Sequence, residues 1–119
     1  MEVLPDSSTI IALAKIDSLD LLKETFNAIC ITKDVEGEKS ILNYAKGRKN
    51  VLVILDEAEA RALAEEEGIP YTGTIGLIVF AFENGKISME RAVEIVKRLA
   101  KSDFRMTVEL YDWALEKLK

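Results

Sequence analysis

Short apolar runs alternate along the chain with longer segments in which apolar residues recur every three or four positions. The first pattern is typical of β-strands and the second of amphipathic α-helices. Strands are predicted at 2–4, 28–32, 51–55 and 69–72. The run 51–55 is continuously apolar and rich in β-branched residues, which indicates a strand covered on both faces.

Capping residues and glycines mark where the helices begin and end. N-terminal caps are predicted at Asp6 with Ser7 and Ser8, at Asp17, Asp34, Ser88 and Thr107, and at Asp56, which has Glu59 at capping-box spacing. Gly47 is predicted to end the helix that begins at Asp34, and Gly68 the helix that begins at Asp56. A helix over 75–82 is apolar nearly all round, so it must be buried in the core or against another subunit.

The predicted order of elements is β-α-α-β-α-β-α-β-α-α-α. Strands that alternate with helices favour an α/β fold, because parallel strands need a crossover connection between them. We expect a three-layer α/β/α arrangement with a mostly parallel sheet of about four strands. The length of 119 residues fits one compact domain over 1–119.

Composition narrows the chemistry that the chain can perform. There is no His and only one Cys, which excludes Ser-His-Asp and Cys-His catalysis and imidazole metal sites. A metal would have to be held mainly by oxygen, which favours Mg²⁺ or Mn²⁺. No apolar run approaches the roughly 20 residues that span a bilayer, so we expect a cytoplasmic protein without membrane contact. The absence of Gln beside abundant Glu and Lys hints at a thermophilic source.

The net charge of −5 argues against a nucleic-acid binder that relies on charge alone. The acidity is concentrated, since residues 56–67 hold six acids and one Arg. Residues 46–49 and the group Lys97, Arg98, Lys101 and Arg105 could form basic faces. The plainer interpretation of both groups is ordinary solvated surface.

Three carboxylates are candidates for a metal site. Asp6 and Asp56 each follow a predicted strand, and the carboxyl ends of neighbouring parallel strands share one crevice. Glu38 lies on the helix after the second strand. Such a cluster suits Mg²⁺, which takes anionic oxygens while keeping waters for a substrate phosphate to replace. The alternative is that Asp6 and Asp56 are simply helix N-caps.

Four segments of the chain resemble the PIN-domain superfamily. They read DSSTIIALAKIDSLDLL from residue 6, VEGE from residue 35, LDEAEARALAEEEGIPYTGTIG from residue 55 and FRMTVELYDWALEKL from residue 104. The resemblance is to the small prokaryotic PIN-like branch DUF3368, and it is collinear from end to end.

This resemblance implies a function and a set of roles. PIN domains are typically Mg²⁺- or Mn²⁺-dependent endoribonucleases, often the toxins of toxin–antitoxin pairs, in which metal-activated water attacks an RNA phosphodiester in line. Asp6, Glu38 and Asp56 would correspond to catalytic metal ligands, and Ser7 or Ser8 would position a ligand or phosphate. An antitoxin protein and an RNA substrate are the implied partners, and we also expect a homodimer formed through helical surfaces.

The chain departs from the family pattern in its middle. Relatives usually carry a further helix, reading like GEAEAIALA, that supplies another acid before the strand preceding Asp56. About a dozen residues separate Glu38 from Val51, so this helix is predicted to be missing. Glu57 or Glu59, or an acid of a partner subunit, could substitute. Otherwise the site is degenerate and the domain is a binding or assembly module without nuclease activity.

A smaller signal lies before the apolar helix. Thr72, Gly73 and Thr74 could present backbone N–H groups to a phosphate at the start of that helix, with Thr72 and Thr74 positioning substrate. The plainer interpretation is a tight turn between strand and helix.

Overall fold

The computed structural model describes residues 2–25, 27–28 and 38–119, with side chains for 2–22 and 41–119. Its strands are β1 (Glu2–Pro5), β2 (Asn27–Ala28), β3 (Val51–Ile54) and β4 (Tyr71–Thr72). Its helices are α1 (Ser7–Lys15), α2 (Asp20–Thr25), α3 (Glu38–Ala45), α4 (Ala58–Glu66), α5 (Thr74–Glu83), α6 (Met89–Lys101) and α7 (Val108–Lys117). The order of elements is the one that the sequence predicts.

The sheet has the order β2-β1-β3-β4, and every neighbouring pair is parallel. The two central strands, β1 and β3, are in register from Glu2 opposite Val51 to Pro5 opposite Ile54. Both strands therefore end at the same edge of the sheet. This edge is where the residues that follow them meet.

Side chains of the central strands alternate between two apolar layers, as the twofold repeat of a strand requires. Val3 and Ile54 pack with residues of α1, α2, α5, α6 and α7 on one face. Leu4, Val53 and Leu55 pack with residues of α3 and α4 on the other. The predicted α/β fold with parallel strands and helices on both faces is thus confirmed.

Helix α5 is buried as its apolar sequence predicts. Six of its ten residues are buried, and Ile75, Leu77 and Ile78 are among the largest fully buried side chains of the core. The predicted caps at Asp6, Ser88 and Thr107 are confirmed, since each side chain accepts a hydrogen bond from the backbone N–H three residues later. In the described residues, no helix has both the length and the hydropathy needed to cross a membrane.

Some predicted boundaries are wrong. Asp17 does not begin a helix, because α2 starts at Asp20 and Asp17 adopts a left-handed backbone with φ of 56°. Strand β4 is shorter than predicted, because the Ile69 N–H bonds back to the Ala64 carbonyl at the end of α4. The predicted strand residues 29–32 and the helix start at Asp34 lie outside the described residues.

Candidate active site

The parallel pairing of β1 and β3 brings Asp6 and Asp56 to one edge of the sheet. Asp6 directly follows Pro5, and its N–H donates to the Ile54 carbonyl at 3.2 Å. Asp56 comes two residues after Ile54. Their side chains join one hydrogen-bonded cluster, described below, so the predicted convergence of these two carboxylates at the strand ends is what the structure shows. We call Asp6 and Asp56 the acid pair.

The carboxylate of Asp6 is nearly sealed from solvent, with 1% of the residue exposed. Its Oδ1 accepts hydrogen bonds from the Thr9 N–H at 3.0 Å, the Thr9 hydroxyl at 3.0 Å and the Ser8 hydroxyl at 2.9 Å. Its Oδ2 is buried and receives no hydrogen bond from the described residues. Burial raises the pKa of Asp6, the negative charge of Asp56 adds to the rise, and the hydrogen bonds from Thr9 and Ser8 oppose it.

Asp56 does not cap the helix that follows it, which corrects the capping-box prediction. The N-cap of α4 is Glu57, and its side chain makes no capping hydrogen bond. Asp56 instead reaches the start of α5, where its Oδ1 accepts from the Thr74 N–H at 2.9 Å and its Oδ2 from the Thr74 hydroxyl at 2.6 Å. A carboxylate at a helix N-terminus satisfies unpaired N–H groups and complements the helix dipole.

Two buried threonines connect the acid pair. Thr9 Oγ1 lies 3.0 Å from Asp6 Oδ1, 3.4 Å from Asp56 Oδ2 and 3.0 Å from Thr74 Oγ1. Because one hydroxyl carries one proton, Thr9 can donate to only one of these three oxygens at a time. The hydroxyl of Thr74 is committed by its short contact to Asp56. The Thr9 hydroxyl therefore donates to only one of its oxygen neighbours at any moment, so its contacts with Asp6, Asp56 and Thr74 alternate.

One cation stands beside the acid pair. Arg61 of α4 places a terminal guanidinium nitrogen 4.0 Å from Asp56 Oδ1, and its Nε–H donates to the Leu55 carbonyl at 2.8 Å. The guanidinium carbon lies 5.7 Å from the centre of the Tyr71 ring, within cation–π range. Arg61 is 40% exposed and Asp56 24%, so this side of the site faces solvent.

The other predicted site residues lie around the acid pair or elsewhere on the chain, and of those with described side chains other than Thr74, Ser8 is the one hydrogen-bonded to the pair. Ser8 contacts Asp6, whereas Ser7 is exposed at the first position of α1. Thr72 ends β4 and is half-buried, and Glu57 is exposed. Glu38 is the first residue of α3, and its side chain lies outside the described residues. Residues 46–50 form only a turn between α3 and β3, in keeping with the missing helix that the sequence predicts.

One feature of the site fits a divalent cation: Asp6 Oδ2 is a buried carboxylate oxygen that has no hydrogen-bond donor among the described residues. A buried carboxylate oxygen without a donor is costly, and a metal ion is one group that satisfies it. Within the part of the chain that the structure describes, no three His, Cys, Asp or Glu side chains come together as a metal site. A third acidic ligand would therefore have to come from Glu38 or from outside the described residues.

The fold and the acid pair define a parallel α/β protein with carboxylates at the carboxyl edge of its central strands. The chain belongs to the PIN-domain family: residues 35–119 match the family model DUF3368, which is described as a PIN domain. Glu38, Asp56 and Arg61 lie within the matched segment, whereas Asp6 precedes it. No curated protein and no solved structure matches the chain.

Sequence reasoning missed Thr9 and Arg61. Thr9 had a local signal, since it lies three residues after the capping Asp6, where its N–H meets the cap and its hydroxyl stays close. Arg61 had none, because an Arg on an acidic helix looks like ordinary solvated surface. The hydrogen bond from its Nε–H to the Leu55 carbonyl turns the side chain back toward Asp56.

Proposed function

We propose that this protein is a divalent-metal-dependent endoribonuclease of PIN type that hydrolyses RNA phosphodiesters. Asp6, Glu38 and Asp56 would hold Mg²⁺ or Mn²⁺. The observation that carries the proposal is the buried Oδ2 of Asp6, which has no donor among the described residues and lies in the same cluster as a second carboxylate. Membership of the PIN-domain family supports the same conclusion.

The protein's own groups would prepare the site for the cation. Thr9 and Ser8 fix Oδ1 of Asp6, which leaves the unpartnered Oδ2 as its ligand atom. Thr74 fixes the orientation of Asp56 from the first turn of α5. A bound divalent ion supplies Lewis acidity toward a phosphodiester and its attacking water. Ser7, exposed beside the acid pair, would contact substrate.

Metal binding and RNA cleavage test the proposal separately. Titration calorimetry with Mn²⁺ should show binding to the wild type, and weaker or no binding to Asp6→Asn, Asp56→Asn and Glu38→Gln. The matched control is Asp112→Asn, since Asp112 is an exposed acid of α7. Wild-type protein should cut a mixed pool of single-stranded RNA only with added metal. Unchanged Mn²⁺ binding and cleavage in both aspartate variants would show that the proposal is wrong.

A toxin function is the finer form of this proposal. Controlled expression of the wild type should then arrest growth of a bacterial host, and expression of Asp6→Asn at the same level should not. Equal growth arrest by both would remove nuclease action as the cause. A cognate antitoxin and a homodimer remain part of this proposal.

One observation favours a second candidate, a noncatalytic binding or assembly module. Both oxygens of Asp56 already accept hydrogen bonds from Thr74, which is a complete structural role at the start of α5. Under this alternative, Mn²⁺ would neither bind the wild type nor raise its melting temperature. Asp56→Asn would lower stability without any other effect.

A further inference from the structure

A small cleft adjoins Asp56 on the solvent side of the acid pair. Its volume is about 310 Å³, at the lower end of the range for ligand pockets. Its lining includes Asp56, Arg61, Tyr71, Thr72 and Gly73. The cleft thus begins at the candidate metal ligand and extends past one basic and one aromatic side chain.

The guanidinium of Arg61 is held in place rather than free on a flexible stem. Its Nε–H bond to Leu55 ties it to the residue just before Asp56, and the Tyr71 ring lies close by. Gly73 provides the space: a Cβ there would overlap a terminal nitrogen of Arg61 and come within 2.8 Å of Asp56 Oδ1. Its backbone is extended, with φ of −91°, so a Cβ at this position would conflict with the present positions of these two side chains and not with the backbone conformation.

The terminal nitrogens of Arg61 keep unused donors. They make no hydrogen bond to the described residues, and Asp56 Oδ1 lies 4.0 Å away, beyond hydrogen-bond distance. Arg91 differs, because it bonds Asp20 and Glu94 at 3.2 and 2.9 Å. Arg61 is therefore a fixed, partly exposed cation with several N–H groups that have no acceptor among the described residues.

We propose that Arg61 binds a phosphate group of single-stranded RNA in this cleft, beside Asp56. This inference rests on the proposed function for its substrate class. The planar guanidinium fork matches two phosphate oxygens, and such charge-assisted pairs are among the strongest hydrogen bonds. In a protein of net charge −5, this cation also offsets the repulsion that the acid pair exerts on an RNA backbone.

The competing explanation is structural, in which Arg61 only balances the charge of Asp56. RNA binding in chelator-containing buffer distinguishes the two, because no cleavage contributes. The probe is a fluorescein-labelled single-stranded oligoribonucleotide of mixed sequence, followed by fluorescence anisotropy. Arg61→Gln removes the charge while retaining an N–H donor for the Leu55 carbonyl, so the variant should remain folded. Arg61→Lys is the second variant, which retains charge but lacks the fork.

Arg48 gives a matched control. Its Nε–H also donates to a carbonyl, that of Tyr44 at 2.7 Å, and its guanidinium also lies over a tyrosine ring, at 3.9 Å. It precedes β3, so it lies at the opposite edge of the sheet from the acid pair. Arg48→Gln removes the same charge from a similar local environment without touching the cleft.

We expect Arg61→Gln to weaken RNA binding about tenfold or more, Arg61→Lys to be intermediate and Arg48→Gln to stay within about twofold of wild type. The slope of log affinity against log salt should decrease in magnitude by about 0.7 in Arg61→Gln, the value for one phosphate contact on a single strand. A purely structural role predicts no change in that slope. Gly73→Ala, which displaces the guanidinium but keeps its charge, should also weaken binding.

The outcomes separate this inference from the proposed function. If the wild type binds RNA in an Arg61-dependent way but never cleaves it with Mn²⁺, the binding site stands and the nuclease does not. If the wild type cleaves RNA and Arg61→Gln has an unchanged KM and salt slope, the nuclease stands and the inference is wrong. No RNA binding by the wild type, or equal losses in Arg61→Gln and Arg48→Gln, would also overturn it.

Discussion

The hydroxyl oxygens of Thr9 and Thr74 lie 3.0 Å apart, although the two residues are 65 positions apart in the sequence. Each threonine also contacts one member of the acid pair within 3.0 Å, Thr9 at Asp6 and Thr74 at Asp56. Both side chains are fully buried. The two hydroxyls thus link the first helix to the buried α5 and hold the two carboxylates in fixed relation.

Replacing Thr74 by Val should destabilise the protein by about 1 to 3 kcal/mol, because the isosteric change leaves Asp56 Oδ2 without its shortest hydrogen bond. Thr74→Ser retains the hydroxyl and should lose less. Urea unfolding of the three proteins measures the difference. Equal stability of the Val and Ser variants would show that the hydroxyl contributes nothing.

Asp6→Asn should raise the stability of the protein at and above neutral pH. Burial raises the pKa of Asp6 above its ordinary value of 3.8, so the folded state binds this proton more tightly than the unfolded chain does. The resulting contribution to stability is fully present below pH 3.8 and is lost as pH rises through the raised pKa. A neutral Asn avoids this loss, since burying an amide costs less than burying a carboxylate.

The measurement is the difference in melting temperature between wild type and Asp6→Asn along a pH series. The advantage of Asn should be greatest above neutrality and should shrink as the solution is acidified. For a domain of this size, each kcal/mol corresponds to roughly 4 °C. A difference that does not vary with pH would mean that the pKa of Asp6 is the same in the folded and unfolded states.

Gly76→Ala should destabilise the protein even though Ala is the better helix former. A Cβ at Gly76 would overlap the Thr72 hydroxyl oxygen, whereas Thr72 Cβ would remain at an ordinary 3.4 Å. In a Thr72→Ala background, the same change should instead stabilise α5 by up to about 1 kcal/mol. A double-mutant cycle from denaturant unfolding measures this reversal of sign. If the changes in unfolding free energy caused by Gly76→Ala and Thr72→Ala simply add, the new Cβ is not strained against the Thr72 hydroxyl.

Ser88→Ala should cost about 0.5 to 1 kcal/mol, because the Ser88 hydroxyl accepts from the Arg91 N–H at the start of α6. Ser88→Asp should be close to wild type, since its carboxylate can accept the same bond and complements the helix dipole. Ser7→Ala, an exposed helix position that is not a cap, is the control. If Ser7→Ala lowers the melting temperature more than Ser88→Ala and Ser88→Asp do, the assignment of Ser88 as the N-cap of α6 is contradicted.

Local rules predicted much of the fold. The repeat of apolar positions predicted the order of all eleven described elements, and the caps at Asp6, Ser88 and Thr107 were predicted because each is decided within one helical turn. The apolar run of α5 predicted its burial in the same way.

The site was less predictable, because its contacts are made over long sequence distances. Parallel pairing was enough to predict that Asp6 and Asp56 meet. The capping rule failed at Asp56, since Thr74, 18 residues away, provides a better partner than the adjacent helix. Arg61 was missed for a different reason: it follows Asp56 by only five residues, but nothing in the acidic segment marks its side chain as the one that turns back toward the strand end.

Because the Thr74 amide donates to Asp56 Oδ1, the hydrogen-exchange rate of this amide reports on the state of the acid pair. In D₂O this amide should exchange slowly while the carboxylate holds it. An ion that drew Oδ1 away would free the amide and accelerate its exchange. Occupancy of the site could then be followed from a single NMR resonance, without RNA and without turnover.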